Sequence, residues 1–262
     1  MSACADEILA RGWTILPRPL DANALEKLVT TLDRLRSTVA STPLHARDDL
    51  VVADDAKVSA VGLAFFGLLE RAPELGEMFA RPELVALLHE ILGAELDLEQ
   101  CTGVLSDETR PFFFWHNHRG GIDGADFRES PGPAPARIER LVCTFYGTPL
   151  DAENGRMWIC SRRVGDALEP PHPPGREPWP DARAIEAPAG SILVLDEATW
   201  HAVAPMTRAG TRRFAACMVR RAGLAPTSRV DPSIAPALAA DPRLGAIYRP
   251  SPAIANASRG MG

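Results

Sequence analysis

The chain has no dense basic tract, no Cys-x-x-Cys pair and no run approaching the ~20 apolar residues that span a bilayer. The first absence, with a net charge of -6 and a pI near 5.6, argues against nucleic acid as a partner. The second leaves five scattered cysteines, an odd number (Cys4, Cys101, Cys143, Cys160, Cys217), which read as free thiols in a reducing cytosol rather than a disulfide framework. The third argues against a membrane protein. The opening Met1-Ser-Ala-Cys-Ala-Asp-Glu carries acids early and leads into no apolar signal core, so a cytoplasmic location is expected. There is no internal repeat. What remains is 262 residues, 46% apolar and 24% charged, an ordinary globular composition and enough chain for one large domain.

Two textures divide it. Up to residue 93 the pattern is mostly helical. Asp21 caps a helix in which Leu25, Leu28, Leu32 and Leu35 recur at helical spacing, and Pro82 opens another that Gly93 closes. Thr42 to Lys57 reads as loop, and Leu63–Leu69 and Pro73–Phe79 as two short helices. From 94 to 222, short β-type runs alternate with Gly/Pro loops: Leu96–Leu105, Phe112–His118, Arg140–Gly147, Met157–Cys160, Ser191–Leu195 and Phe214–Arg220. Such spacing predicts a sandwich or barrel. Loops 119–137 and 165–181 are long enough to cover a site. Residues 223–262 form a Pro/Ala/Ser-rich tail with short helical turns expected at Asp231–Leu238 and Pro242–Ile247.

The chemistry centres on Phe112-Phe-Phe-Trp-His116-Asn-His118. On a strand, side chains at i and i+2 share a face, so His116 and His118 present two imidazoles side by side, the start of a metal site. A third ligand has to come from elsewhere, and His201, beyond the strand-like Leu193-Val-Leu, is the candidate. His89, within a helix, and His172, in a proline-rich loop, read as ordinary residues. Arg119, Arg128, Arg137, Arg162 and Arg163 lie in the loops and hint at an acidic group on the substrate, against the plainer reading of solvated loop charge.

Taken in order, several motifs resemble one family. Gly12-Trp-Thr-Ile-Leu-Pro-Arg-Pro-Leu precedes the first long helix, and Leu84-Val-Ala-Leu-Leu-His-Glu-Ile-Leu-Gly precedes the β-rich part. Trp115-His116 follows, then Asp151-Ala-Glu-Asn-Gly155, then Ala189-Gly-Ser-Ile-Leu-Val-Leu with Trp200-His201 and Arg212. Over roughly residues 8 to 222 the chain resembles the phytanoyl-CoA dioxygenase family of Fe(II)- and 2-oxoglutarate-dependent oxygenases. The resemblance implies a mainly β fold with α, a double-stranded β-helix or jelly-roll barrel with N-terminal helices packed outside, in one domain over 1–262. It also implies Fe(II) held by His116, His118 and His201, with 2-oxoglutarate as cosubstrate, dioxygen, and oxidation of a small molecule, for instance in secondary metabolism. Arg212, eleven residues beyond His201, would grip the cosubstrate's distal carboxylate, since a planar fork makes two charge-assisted hydrogen bonds. Arg213 is the alternative if the strand register is one off. Phe145 falls where the family places an aromatic near the cosubstrate.

The sequence departs from that family at His118, where an aspartate ligand is usual. Three arrangements stand open, in this order: a three-histidine iron site, a site completed by a loop carboxylate from Asp123 or Asp126, and a halogenase-like register in which His118 is the first ligand and Gly120 occupies the acid position. A three-histidine iron dioxygenase without 2-oxoglutarate, or a zinc hydrolase or lyase that activates water, also fits His-x-His with a third histidine.

Overall fold

Ser2 and Asp21 each accept a backbone N–H in the first turn of a helix, from Ala5 at 3.3 Å and from Ala24 at 2.9 Å. They open α1 (Ala3–Arg11) and α2 (Ala22–Ser37), with β1 (Trp13–Ile15) between them. The structure, a computed structural model, describes residues 1–16, 20–53, 55–119, 135–173, 175, 177–225 and 230–253. After α2 come β2 (Leu50–Ala53), β3 (Ala56–Val58), β4 (Leu63–Phe65), α3 (Leu68–Arg71), α4 (Gly76–Phe79) and α5 (Pro82–Leu92). Then follow β5 (Leu96–Asp107), β6 (Phe113–His116), β7 (Arg140–Tyr146), β8 (Met157–Ile159), β9 (Arg183–Ile185), β10 (Ile192–Asp196), β11 (His201–Val203) and β12 (Thr211–Arg221). The chain closes with α6 (Ile234–Ala240), α7 (Pro242–Ile247) and β13 (Tyr248–Pro250).

Among the described residues the strands form two sheets. The larger runs β1-β10-β7-β12-β5-β4-β3-β2, with β13 added beside β5; the smaller runs β6-β11-β8-β9. Period-2 alternation then sorts the core. Along β7, Leu141, Cys143 and Phe145 enter a cluster with Leu28, Leu32 and Leu35 of α2, while Val142 and Tyr146 enter a second cluster with Met157, Ile159 and Val203 of the smaller sheet. The protein is therefore mainly β, with helix side chains buried on one face of the larger sheet and the smaller sheet on the other. Among the described residues no helix is long and apolar enough to cross a membrane.

A β-bulge in β5 aims the long strand. Val219 pairs with Leu98 and Met218 with Gln100, so Glu99 is the extra residue and the alternation shifts there. Beyond it Cys101 and Leu105 face the helices, and Gln100, Thr102 and Val104 face the cavity between the sheets. Gly103 is on the helix side, where a Cβ would stand 2.6 Å from Leu32 Cδ2, so a side chain there would force Leu32 to shift.

Several boundaries differ from the sequence reading. Thr42–Lys57, read as loop, contains β2 and the start of β3, and Leu63–Phe65, read as the start of a helix, is β4. All three residues of β4 are buried, and a short run buried on every side carries no period to separate strand from helix. Residues 1–93 thus supply four strands to the larger sheet as well as helices. The strand expected over Phe112–His118 ends at His116. β9, β11 and β13 were not anticipated, being three residues each and too short for a pattern.

Candidate metal centre

β6 and β11 are neighbours in the smaller sheet, and His116 lies directly opposite His201. Their ring centroids are 4.1 Å apart; His118 sits 5.4 Å from His116 and 5.0 Å from His201. One ring nitrogen from each of the three lies within 4.8 Å of the others. The tautomers follow from the hydrogen bonds. Nδ1 of His116 faces Phe114 O at 2.8 Å and Nδ1 of His201 faces Thr199 O at 2.9 Å. A carbonyl only accepts, so in the neutral ring Nδ1 carries the proton and Nε2 keeps its lone pair. Burial drives the His201 pKa down to about 4, so the ring is neutral at physiological pH, as a ligand must be.

His118 is placed differently. It lies two residues beyond β6, and its backbone N–H donates to Glu197 O at 2.7 Å. The Glu197 carboxylate is itself held by Arg119 at 3.5 Å and Arg140 at 3.4 Å, and Arg140 also pairs with the buried Glu99 at 3.0 Å. The turn between β10 and β11 is thereby tied to both histidine segments.

The same turn is tied to α1. Asp196 N and Thr199 Oγ1 both donate to Gly12 O, at 2.8 and 3.1 Å, and Asp196 pairs with the buried Arg162 at 2.8 Å. Gly12 caps α1 at φ +83, and a Cβ there would fall 2.3 Å from Thr199 Oγ1. Replacing Gly12 by Ala forces a left-handed backbone on a residue with a Cβ, at roughly 1–2 kcal/mol, and adds that clash. The expected outcome is a thermal midpoint lowered by several degrees, with weakened metal binding because the displaced turn carries His201. A melt of Gly12→Ala unchanged from wild type would contradict it.

The three histidines open onto a cavity of about 370 Å³ between the sheets, lined near the imidazoles by Phe113, Phe114 and Met157. Arg212 of β12 lines it too and is almost fully buried, its guanidinium 5.5 Å from the Tyr146 ring and 5.3 Å from that of Phe214. Among the described residues it makes no ion pair, and its Nε has no hydrogen-bond partner. Burial pulls its pKa down, with Tyr146 acting the other way. Arg213 points outward and pairs with Asp33 of α2 at 2.7 Å. The alternation of β12 thus puts Arg212, not its neighbour, in the cavity.

Phe145 is not brought to the site. It packs edge-on against Phe79 at 5.1 Å on the helix side, because alternation along β7 turns Tyr146 inward instead. Nor do the loop arginines line the cavity. Arg162 is committed to Asp196, Arg119 to Glu139 and Glu197, and Arg137 and Arg163 are exposed, while Arg128 lies outside the described residues. Asp123, Asp126 and Gly120 also lie outside them. His89 accepts its place in α5, with Nδ1 near Gly93 O, and His172 pairs with Asp181 in its loop. Arg110, buried on the cavity wall, was missed. It lies between strands, where no sequence period points to it.

No protein-family model matches the chain, and no curated relative matches it. Solved structures do. HygX from Streptomyces hygroscopicus with nickel and 2-oxoglutarate bound matches at TM-score 0.62 and 13% identity, over 86% of this chain and 88% of that one. The non-haem alpha-ketoglutarate-dependent carbocyclase SnoK from nogalamycin biosynthesis matches at 0.61 and 16%, over 85% of each chain. The related epimerase SnoN matches at 0.58 and 13%, over 84% and 80%. Those structures share this chain's fold.

Proposed function

We propose that this chain is a non-haem Fe(II) oxygenase that uses 2-oxoglutarate and dioxygen to hydroxylate or otherwise oxidise a small molecule, in secondary metabolism. The observation that carries the reading is one cavity holding two complementary features. One nitrogen from each of three imidazoles lies within 4.8 Å of the others, and in the same cavity a buried guanidinium has no carboxylate partner among the described residues. The first fits a divalent transition metal with positions left open for other ligands. The second fits the distal carboxylate of a dicarboxylic 2-oxo acid, because an isolated buried cation is costly until an anion meets it. A hydrolase or lyase needs no clamp for the distal carboxylate of a cosubstrate. HygX holding nickel and 2-oxoglutarate, and the nogalamycin enzymes, support the reading. The motif order further supports a phytanoyl-CoA dioxygenase-like enzyme, a single jelly-roll domain with the N-terminal helices as its outer layer. Five free thiols support a cytoplasmic setting.

His116, His118 and His201 would hold the iron, and Arg212 the cosubstrate. When bound, the iron and 2-oxoglutarate supply oxidative decarboxylation coupled to activation of dioxygen. The chain's part is placement. Phe114 O and Thr199 O fix the two facing rings, Glu197 O fixes the His118 backbone, and Arg212 with Tyr146 sets the cosubstrate's orientation. Phe113, Phe114, Val203 and Met157 keep water from the reacting atoms. Succinate release on aerobic incubation with Fe(II) and 2-oxoglutarate tests the reading; iron binding with no succinate would favour a three-histidine enzyme that does not use 2-oxoglutarate.

The aspartate that the family resemblance leads one to expect offers a second test. His118→Asp adds a negative charge beside the metal, which raises the electron density available for reducing dioxygen. The variant should keep its iron and release succinate faster than wild type. Slower release with iron retained would mean that the imidazole itself is required.

A further inference from the structure

Arg212 is not the only buried cation in the cavity. Arg110 follows β5 after a turn in which Asp107 Oδ1 accepts from Thr109, and it is 1% exposed against 3% for Arg212. Both guanidiniums line the same cavity, and the Nε of each is buried without a partner. Among the described residues neither makes an ion pair; Asp107 is the acid whose charge Arg110 feels, and its contacts are with Thr109. Two like charges buried together oppose each other. Burial and the Arg212 charge bring the Arg110 pKa down to about 9, so it remains cationic at neutral pH.

Arg110 is also anchored. Its Nη1 donates to Pro111 O at 3.0 Å and its Nη2 to Ala204 O at 2.9 Å, carbonyls just before β6 and just after β11, the strands that carry His116 and His201. Room for the second bond comes from Gly155, φ +78, where a Cβ would stand 2.8 Å from Ala204 O and 3.5 Å from Nη2. The Asp151-to-Gly155 turn, closed by Asp151 Oδ1 accepting from Asn154 at 2.8 Å, brings Gly155 against that bond. A guanidinium held through both terminal nitrogens, on the wall of a cavity that also holds Arg212, and with N–H groups left over, is preorganised for an anion.

We infer that Arg110 is a second specificity-determining residue of the cosubstrate site, forming with Arg212 a two-guanidinium clamp on the distal carboxylate of a dicarboxylic 2-oxo acid. The inference rests on the function proposed above. The clamp makes the distal carboxylate a strong requirement, since without it two buried cations stay uncompensated. It also couples cosubstrate binding to the metal strands through Pro111 and Ala204.

The test is anaerobic calorimetry on the Fe(II)-loaded protein with two ligands, 2-oxoglutarate and 2-oxopentanoate, which has a methyl in place of the distal carboxylate. Arg110→Gln should weaken 2-oxoglutarate by about tenfold or more while changing 2-oxopentanoate by less than about twofold, and Arg110→Lys should fall between wild type and Gln. Thermal melts establish that each variant is folded; should Arg110→Gln unfold, the Lys variant carries the comparison. Equal loss for both ligands would overturn the inference, leaving Arg110 as a brace between strands. So would unchanged 2-oxoglutarate affinity in Arg110→Gln when Arg212→Lys weakens it, and in that case the proposed function stands. If wild type fails to bind 2-oxoglutarate, the proposed function and this inference fall together.

Discussion

His201→Ala should lose tight Fe(II) binding and all iron-dependent turnover while remaining folded. His201 lies opposite His116 across β6 and β11, its Nδ1 is engaged by Thr199 O, and its free Nε2 points into the cluster. Changes to groups that merely orient a metal ligand cost about 10–100-fold in affinity, and removing the ligand itself should cost more. His116→Ala should behave alike. The fold should survive, because the strand ladder at His201 is backbone and does not need the ring. Equilibrium dialysis against Fe(II), with a thermal melt alongside, measures both parts. Retained stoichiometric iron in His201→Ala would mean that the ion sits elsewhere.

Arg212→Lys is the second large effect. Lysine keeps the charge but replaces a planar fork by a point donor, so the bidentate grip on a carboxylate is lost. A loss of ~1–3 kcal/mol in 2-oxoglutarate affinity is expected for a buried charge-assisted pair, with each 1.4 kcal/mol being about tenfold in the dissociation constant. Iron affinity in the absence of cosubstrate should be unchanged, since Arg212 is on the larger sheet and the histidines are on or beside the smaller one. Arg213→Lys, beside it in sequence but paired with Asp33 at the surface, should be nearly silent. The reverse pattern would mean that β12 is read one residue out of register.

What the sequence made legible follows from periodicity and chemistry. His-x-His marked the pair His116 and His118, although β6 ends at His116 and the Glu197 contact, not a shared strand face, places His118; alternation already required that only one of Arg212 and Arg213 could enter the cavity. The third histidine came from its place after an apolar run. The misreadings have physical causes. Phe145 and Tyr146 are adjacent aromatics on a strand buried on both faces, so composition could not say which turned inward; the pairing of Tyr146 with Phe214 and the packing of Phe145 on Phe79 decide it. The bulge at Glu99, which sends Gln100, Thr102 and Val104 to the cavity, leaves no mark in the local pattern. Arg110 is defined by Pro111, Ala204 and Gly155, contacts that only tertiary structure brings together. The hairpin β2–β3 has mixed burial, and its Leu50 and Val51 are exposed at the sheet's edge, so it read as loop.

The most direct measurement is an anaerobic titration of the metal-free protein with Fe(II), followed by 2-oxoglutarate, watched in the visible region. One iron per chain, then a charge-transfer band that grows to saturation with one equivalent of 2-oxoglutarate and fails to form in His201→Ala, is the predicted result. Iron bound at one per chain with no band and no change on adding 2-oxoglutarate would contradict the account.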